Sequence, residues 1–131
     1  MAKKSSDPIV LTVDDEVAIR EMVRRILEKE GYQVIEATNG AEAVALLAKD
    51  TPVDLLIADL EMPELAGEEM ARRFRAERPD LKVLYVSGVV DRMLDQRSLW
   101  EGEAYLRKPF SAAGLREAVA LLIFGTLKRQ H

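Results

Sequence analysis

Short apolar runs alternate with amphipathic segments along most of the chain. Five runs, at residues 9–13, 33–37, 54–59, 82–86 and 104–107, have the length and the aliphatic or β-branched content of strands. Strict alternation of strands with helices predicts right-handed crossovers and one parallel sheet covered on both faces. The predicted fold is therefore a doubly wound α/β domain.

The segments between these runs carry helix signals. The first, at 16–30, places apolar side chains on one face and stops at Gly31. Asn39 and Glu42 have the spacing of a capping box, and Ser111 is the predicted N-cap of the last helix. A third helix ends before Pro79, and a less regular helical segment is predicted at 91–100. Five helices thus alternate with five strands.

Composition narrows the possible functions. A chain of 131 residues with 48% hydrophobic content suits one domain, predicted at 9–125 between a disordered segment at 1–8 and a tail at 126–131. The chain has no cysteine, which excludes disulfides and thiolate metal sites. Its single histidine is His131, which excludes Ser/His catalysis. The net charge of −4, without a basic stripe, argues against direct nucleic-acid binding. No run reaches the ~18 apolar residues of a membrane span, so we expect a cytoplasmic protein without membrane contact.

Acidic residues end two of the predicted strands. Asp14 and Asp15 follow the first strand, and Asp59 ends the third. Carboxyl ends of parallel strands meet at one edge of a doubly wound sheet, which is also where ligands bind. Three carboxylates brought together there repel one another unless a cation holds them. The pattern predicts a divalent metal ion at this edge.

Two further strands also end in polar residues. Ser87 lies at the end of the fourth strand, and Lys108 directly follows the fifth. Holding a phosphoryl group on a carboxylate requires three things: the carboxylate nucleophile, a bridging cation, and hydrogen-bond donors for the remaining charge. Taken singly, Asp14 and Asp15 are typical of a helix N-terminus, and the other residues are typical of turns or loops. Their joint occurrence at four strand ends favours a site.

These residues, in this order and spacing, resemble the receiver domains of bacterial two-component response regulators, including the chemotaxis-regulator type. The likeness runs from about residue 9 to 124 and includes the segment Asp-Leu-Glu-Met-Pro at 59–63, followed by Gly67. It implies a flavodoxin-like (βα)5 fold with strand order 2-1-3-4-5. It also implies that Asp59 is the phosphoacceptor and that Ser87 and Lys108 contact the phosphoryl group.

The resemblance implies further roles around this site. Mg²⁺ would be held by Asp14, Asp15, Asp59 and the backbone carbonyl of Glu61. Tyr105 matches an aromatic residue whose rotamer is coupled to the hydroxyl of Ser87 in switching. The bond between Lys108 and Pro109 is expected to be cis.

The resemblance also implies partners. The phosphoryl group would come from a histidine kinase or a histidine phosphotransfer protein. A downstream protein would read the face formed by the fourth helix, fifth strand and fifth helix. We expect no enzyme activity beyond self-phosphotransfer and autodephosphorylation, and a monomer or weak homodimer that is either free-standing or part of a larger regulator or hybrid kinase.

Other functions fit the sequence less well. A phosphohydrolase of the haloacid dehalogenase type usually has a second aspartate two residues after its nucleophile, where this chain has Glu61, and no insertion could form a substrate cap. A phosphorylation-independent interaction module of the same fold remains an alternative, although all the residues of the site are present. Dinucleotide binding is excluded because no Gly-x-Gly-x-x-Gly pattern follows the first strand.

Overall fold

Five parallel strands form one sheet with the order β2-β1-β3-β4-β5 in the computed structural model, which describes residues 7–61, 67–88 and 102–125. This confirms the predicted fold and strand order. The strand bounds differ slightly: β3 begins one residue later than predicted, and β4 and β5 each gain one residue. The first helix is one residue shorter at each end than the predicted 16–30. The strands are β1 (Ile9–Val13), β2 (Gln33–Ala37), β3 (Leu55–Asp59), β4 (Lys82–Ser87) and β5 (Glu103–Arg107).

Four helices are described: α1 (Val17–Lys29), α2 (Gly40–Ala48), α3 (Gly67–Glu77) and α4 (Ala112–Phe124). The helix predicted at 91–100 lies outside the described residues, and so do 1–6 and 126–131. The last helix is therefore labelled α4 here. Within the part of the chain that the structure covers, no helix has both the length and the apolar content needed to cross a membrane.

The sheet is buried on both faces, which explains the continuous apolar runs. All five residues of β3, the central strand, are buried. On one face, Leu11 and Leu56 pack with Phe74 of α3; on the other, Val10 and Leu55 pack against α1 and α4. Burying a leucine side chain contributes about 2 kcal/mol. The sheet is therefore a firm support for the residues at its carboxyl edge.

The predicted helix ends are largely confirmed. Asn39 Oδ1 accepts a hydrogen bond from Glu42 N at 2.9 Å, and Ser111 Oγ accepts one from Gly114 N at 2.9 Å. The Glu42 carboxylate accepts from Thr38 N at 2.7 Å, one residue before the position expected for a capping box. Gly31 follows α1 with a φ of 97°, a left-handed conformation that glycine adopts without strain.

Candidate functional site

The three predicted acidic residues converge at the carboxyl edge of the sheet. Asp14 follows β1 and is buried, Asp59 ends β3 and is buried, and Asp15 is exposed. One carboxylate oxygen from each of Asp14, Asp15 and Asp59 can be chosen so that all three lie within 4.8 Å of one another. The paired strands β1 and β3 produce this convergence, because their registers align Val13 with Ala58.

Asp14 and Asp59 are held in the same way. Asp14 Oδ1 accepts a hydrogen bond from Glu16 N at 2.9 Å, and Asp59 Oδ1 accepts one from Glu61 N at 2.9 Å. Both are local turns of the kind that aspartate forms with the backbone two residues on. The interpretation of Asp59 as a turn residue is therefore correct for one oxygen of its carboxylate, and Asp14 forms the same local turn just before α1 instead of capping it. The second oxygen of each faces Lys108.

Lys108 is the cation of the cluster. Its Nζ lies 3.3 Å from Asp59 Oδ2, 3.5 Å from Asp14 Oδ2 and 3.6 Å from Glu16 Oε1. Its backbone N donates to Ser87 O at 3.0 Å, which continues the pairing of β4 with β5. The peptide bond that follows it, to Pro109, is cis as expected. One ammonium group thus faces three carboxylates.

Burial and charge shift the pKa values in this cluster. Burial raises the pKa of Asp14 to about 6; the Glu16 N–H opposes this shift and the Asp59 carboxylate adds to it. Burial lowers the pKa of Lys108, but the carboxylates of Asp14 and Asp59 outweigh it, and the net pKa lies above its ordinary value. Lys108 is therefore charged at neutral pH. Its single positive charge does not fully compensate the negative charges of Asp14 and Asp59.

The donor set fits a hard divalent cation. Magnesium prefers oxygen ligands and retains several waters, so a few carboxylates suffice. Asp14, Asp15 and Asp59 supply those oxygens, and a divalent charge would relieve the repulsion that Lys108 leaves uncompensated. These residues thus fit Mg²⁺. The carbonyl of Glu61 stays a prediction as a further ligand.

Magnesium binding is expected to weaken at acidic pH, because Mg²⁺ must displace the proton that Asp14 binds below about pH 6. The pKa of Asp14 is raised by folding, so its protonation stabilises the metal-free protein at low pH, and this contribution is lost as the pH rises towards about 6. Affinity should fall about tenfold for each pH unit below 6. Calorimetric titrations with MgCl₂ at several pH values measure this slope.

A suitable control for this titration is Asp80→Asn, because Asp80 is exposed and lies outside the cluster. This variant should reproduce the wild-type slope. An affinity that does not change with pH below 6 would contradict the assignment of Asp14 as a ligand.

Ser87 and Tyr105 lie on neighbouring strands. Ser87 ends β4 and is fully buried, while Tyr105 of β5 is half-buried and lies in register with Tyr85. The rings of Tyr85 and Tyr105 are 5.2 Å apart, tilted by 35°. Tyr105 thus packs against the residue two positions before Ser87. This places both predicted switch residues in one region of the sheet.

Glu61 joins two loops at the mouth of the site. Besides its backbone bond to Asp59, its Oε1 accepts from Gly88 N at 3.2 Å. Gly88 directly follows Ser87, so the Glu61 side chain bridges the loops after β3 and β4. The sequence pattern did not indicate this contact.

Two other residues near the cluster were missed by the sequence reasoning. Glu16 contributes a carboxylate beside Lys108 although its side chain is largely exposed. Arg20 is buried, and its Nη1 donates to the backbone oxygen of Asp14 at 2.7 Å. A signal for Arg20 did exist, because it lies three and seven residues before Val23 and Leu27, on the buried face of α1.

Known proteins match this chain over most of its length. The sequence model of the response regulator receiver domain matches residues 10–120. Response regulator MprA of Mycobacterium leprae is 37% identical over 119 residues, covering 87% of this chain and 50% of that protein. Sporulation initiation phosphotransferase F of Bacillus subtilis is 30% identical over 112 residues, covering 84% of this chain and 89% of that protein.

A solved structure agrees with these sequence matches. Response regulator protein TrrA of Thermotoga maritima, in complex with Mg²⁺-BeF, is 35% identical with a TM-score of 0.77, covering 88% of this chain and 98% of that one. This chain spans about half the length of MprA but nearly all of TrrA. These matches decide against a haloacid dehalogenase-type enzyme. The chain belongs to the response regulator receiver domain family.

Proposed function

We propose that this receiver domain takes up a phosphoryl group on Asp59 from a histidine kinase or a histidine phosphotransfer protein, with Mg²⁺ held by Asp14, Asp15, Asp59 and the Glu61 carbonyl. One observation carries the proposal: Lys108 Nζ lies within 3.3 Å and 3.5 Å of the second oxygens of Asp59 and Asp14, and Asp15 completes the cluster of acids. This gathers a nucleophile, metal ligands and a cation for the phosphoryl charge.

The proposed reaction transfers the phosphoryl group from a phosphohistidine of the donor protein to the carboxylate of Asp59. An oxygen of the Asp59 carboxylate attacks the phosphorus of a phosphohistidine, the P–O bond forms, and the P–N bond breaks with the imidazole as leaving group. Bound magnesium would reduce the repulsion between carboxylate and phosphoryl donor. Asp59 Oδ1 is held by Glu61 N at 2.9 Å, so the carboxylate is oriented before the donor arrives.

Lys108 and Ser87 are proposed to meet the new charge. An acyl phosphate adds roughly −1.5 to −2 charge, which an ammonium and a hydroxyl can accept through charge-assisted hydrogen bonds. Lys108 already lies 3.3 Å from Asp59 Oδ2. We expect the domain itself to carry out two reactions only: its own phosphorylation and the hydrolysis of this acyl phosphate by water.

We propose that phosphorylation changes the surface that a downstream protein binds. When the segment that carries Ser87 moves towards the phosphoryl group, Tyr105 can occupy the space that this segment leaves. Tyr105 lies on β5 and packs on the face of the sheet that carries Phe74 and Tyr85. Its movement would alter the face formed by β5, α4 and the helix predicted at 91–100. A downstream protein would read that face. The domain is proposed to act in the cytoplasm as a monomer or weak homodimer.

Beryllofluoride tests this switch without a kinase, because it mimics a phosphoryl group on a carboxylate. With Mg²⁺ present, we expect backbone amide shifts that begin at Asp59 and Ser87 and reach Tyr105. The shifts are followed by two-dimensional NMR, and beryllofluoride without Mg²⁺ is the control that should leave the spectrum unchanged. Shifts confined to Asp59 would contradict the proposed coupling to Tyr105.

A further inference from the structure

Arg20 is a buried cation next to the acidic pair. It lies on α1, and its Nη1 donates to the backbone oxygen of Asp14 at 2.7 Å. Its Nε donates to Glu36 Oε1 on β2 at 2.9 Å. One planar guanidinium thus connects the loop that carries Asp14 and Asp15 to the neighbouring strand. A buried arginine remains stable only when such partners satisfy its charge.

Glu36 is itself held from two sides. Its second oxygen, Oε2, accepts from Arg24 Nη1 at 2.7 Å, and Arg24 Nε donates to Glu28 Oε2 at 3.1 Å. Both oxygens of Glu36 therefore have arginine partners, which fixes the carboxylate. Arg24 belongs to the same network but makes no contact with Asp14 among the described hydrogen bonds. This difference separates the two arginines experimentally.

Asp14 has one polar side-chain atom left for the site. Its N–H donates to Ala37 O at 3.2 Å, its carbonyl accepts from Arg20, and its Oδ1 accepts from Glu16 N. The remaining oxygen, Oδ2, lies 3.5 Å from Lys108 Nζ. The backbone and one oxygen of Asp14 are thus fixed, and the orientation of Oδ2 follows from these contacts.

We infer that Arg20 is a positioning residue that sets the direction of Asp14 and Asp15 for metal binding; this rests on the proposed magnesium site. The carbonyl that Arg20 holds belongs to the planar peptide group joining the two aspartates. The Cα atoms of Asp14 and Asp15 both lie in that plane, so fixing the plane fixes the atoms from which the two side chains branch. Magnesium requires nearly ideal octahedral geometry, so its affinity depends on this orientation.

Replacing Arg20 with lysine separates position from charge. Lysine keeps the positive charge but lacks the planar fork that contacts Asp14 and Glu36 together. For Arg20→Lys we expect about tenfold weaker Mg²⁺ binding. Ca²⁺ accepts irregular geometry, so its affinity should fall less, about threefold. Calorimetric titration with MgCl₂ alone and with CaCl₂ alone measures the ratio, which loss of stability by itself would not change.

Arg24→Lys is the matched control, because it alters the same network without touching Asp14. It should bind both ions within about twofold of wild type. Arg20→Lys with wild-type Mg²⁺ affinity, an equal fall for both ions, or an equal loss in Arg24→Lys would each overturn the inference. Wild-type protein that does not bind Mg²⁺ would instead overturn the proposed function.

A second variant is available if Arg20→Lys does not fold. Glu36→Gln leaves the arginine in place but weakens its anchor on β2. We expect it to lower the ratio of Mg²⁺ to Ca²⁺ affinity about threefold. An unchanged ratio in this variant would overturn the positioning role of Arg20.

Discussion

Replacing Asp59 with asparagine is expected to abolish labelling by acetyl phosphate, with a loss of at least about a thousandfold. An amide is not a nucleophile towards phosphorus under these conditions. Asparagine has the same shape and keeps an oxygen that can accept from Glu61 N, so the local turn should survive. Intact-protein mass spectrometry after incubation with acetyl phosphate and Mg²⁺ gives the labelled fraction.

Two further variants make this result specific. Asp80→Asn changes an exposed aspartate that precedes β4, at the edge of the sheet opposite the cluster, and should label like wild type. Asp14→Asn should label slowly but measurably, because it removes a metal ligand and not the nucleophile. Labelling retained in Asp59→Asn and lost in Asp14→Asn would move the phosphoacceptor to Asp14. Wild-type protein that binds Mg²⁺ but is never labelled would favour a phosphorylation-independent interaction module.

Replacing Lys108 with alanine is expected to slow labelling roughly a hundredfold, because the phosphoryl group loses its cation. Magnesium binding should persist, since the variant removes a positive charge that lies 3.5 Å from Asp14 Oδ2 and competes with the metal. Beryllofluoride should no longer shift the amide of Tyr105. Labelling rate, calorimetry and NMR measure these three effects separately.

The control for this variant is Lys29→Ala, which removes an exposed lysine at the end of α1. It should leave all three measurements unchanged. Thermal unfolding shows whether Lys108→Ala is folded. A Lys108→Ala protein that unfolds even with Mg²⁺, or that has lost Mg²⁺ binding, would show that Lys108 stabilises the fold rather than serving the phosphoryl group.

The fold was predictable from the sequence because strands buried on both faces leave continuous apolar runs, such as the one that became β3. The acidic cluster was predictable for a related reason. A parallel arrangement brings the ends of β1 and β3 to one edge, so the positions of Asp14, Asp15 and Asp59 in the chain were enough to expect their proximity.

Side-chain networks were not predictable in the same way. Arg20 shares a helix face with Val23 and Leu27, but a charged residue on such a face is normally assigned to solvent. Its burial becomes intelligible only once Glu36 of β2 is known to lie beside it. The bridge from Glu61 to Gly88 depends on loop conformation, which apolar periodicity does not encode. Strand order came from the family resemblance.

The placement of β5 at the edge of the sheet has a consequence during synthesis. Ribosomes produce the aspartates early and Lys108 late, and Lys108 follows the strand that docks onto β4 to complete the sheet. In a nascent polypeptide that has not yet added β5, the carboxylates of Asp14 and Asp59 therefore lack the ammonium group of Lys108. The docking of β5 thus also delivers the ammonium group that faces Asp14 and Asp59.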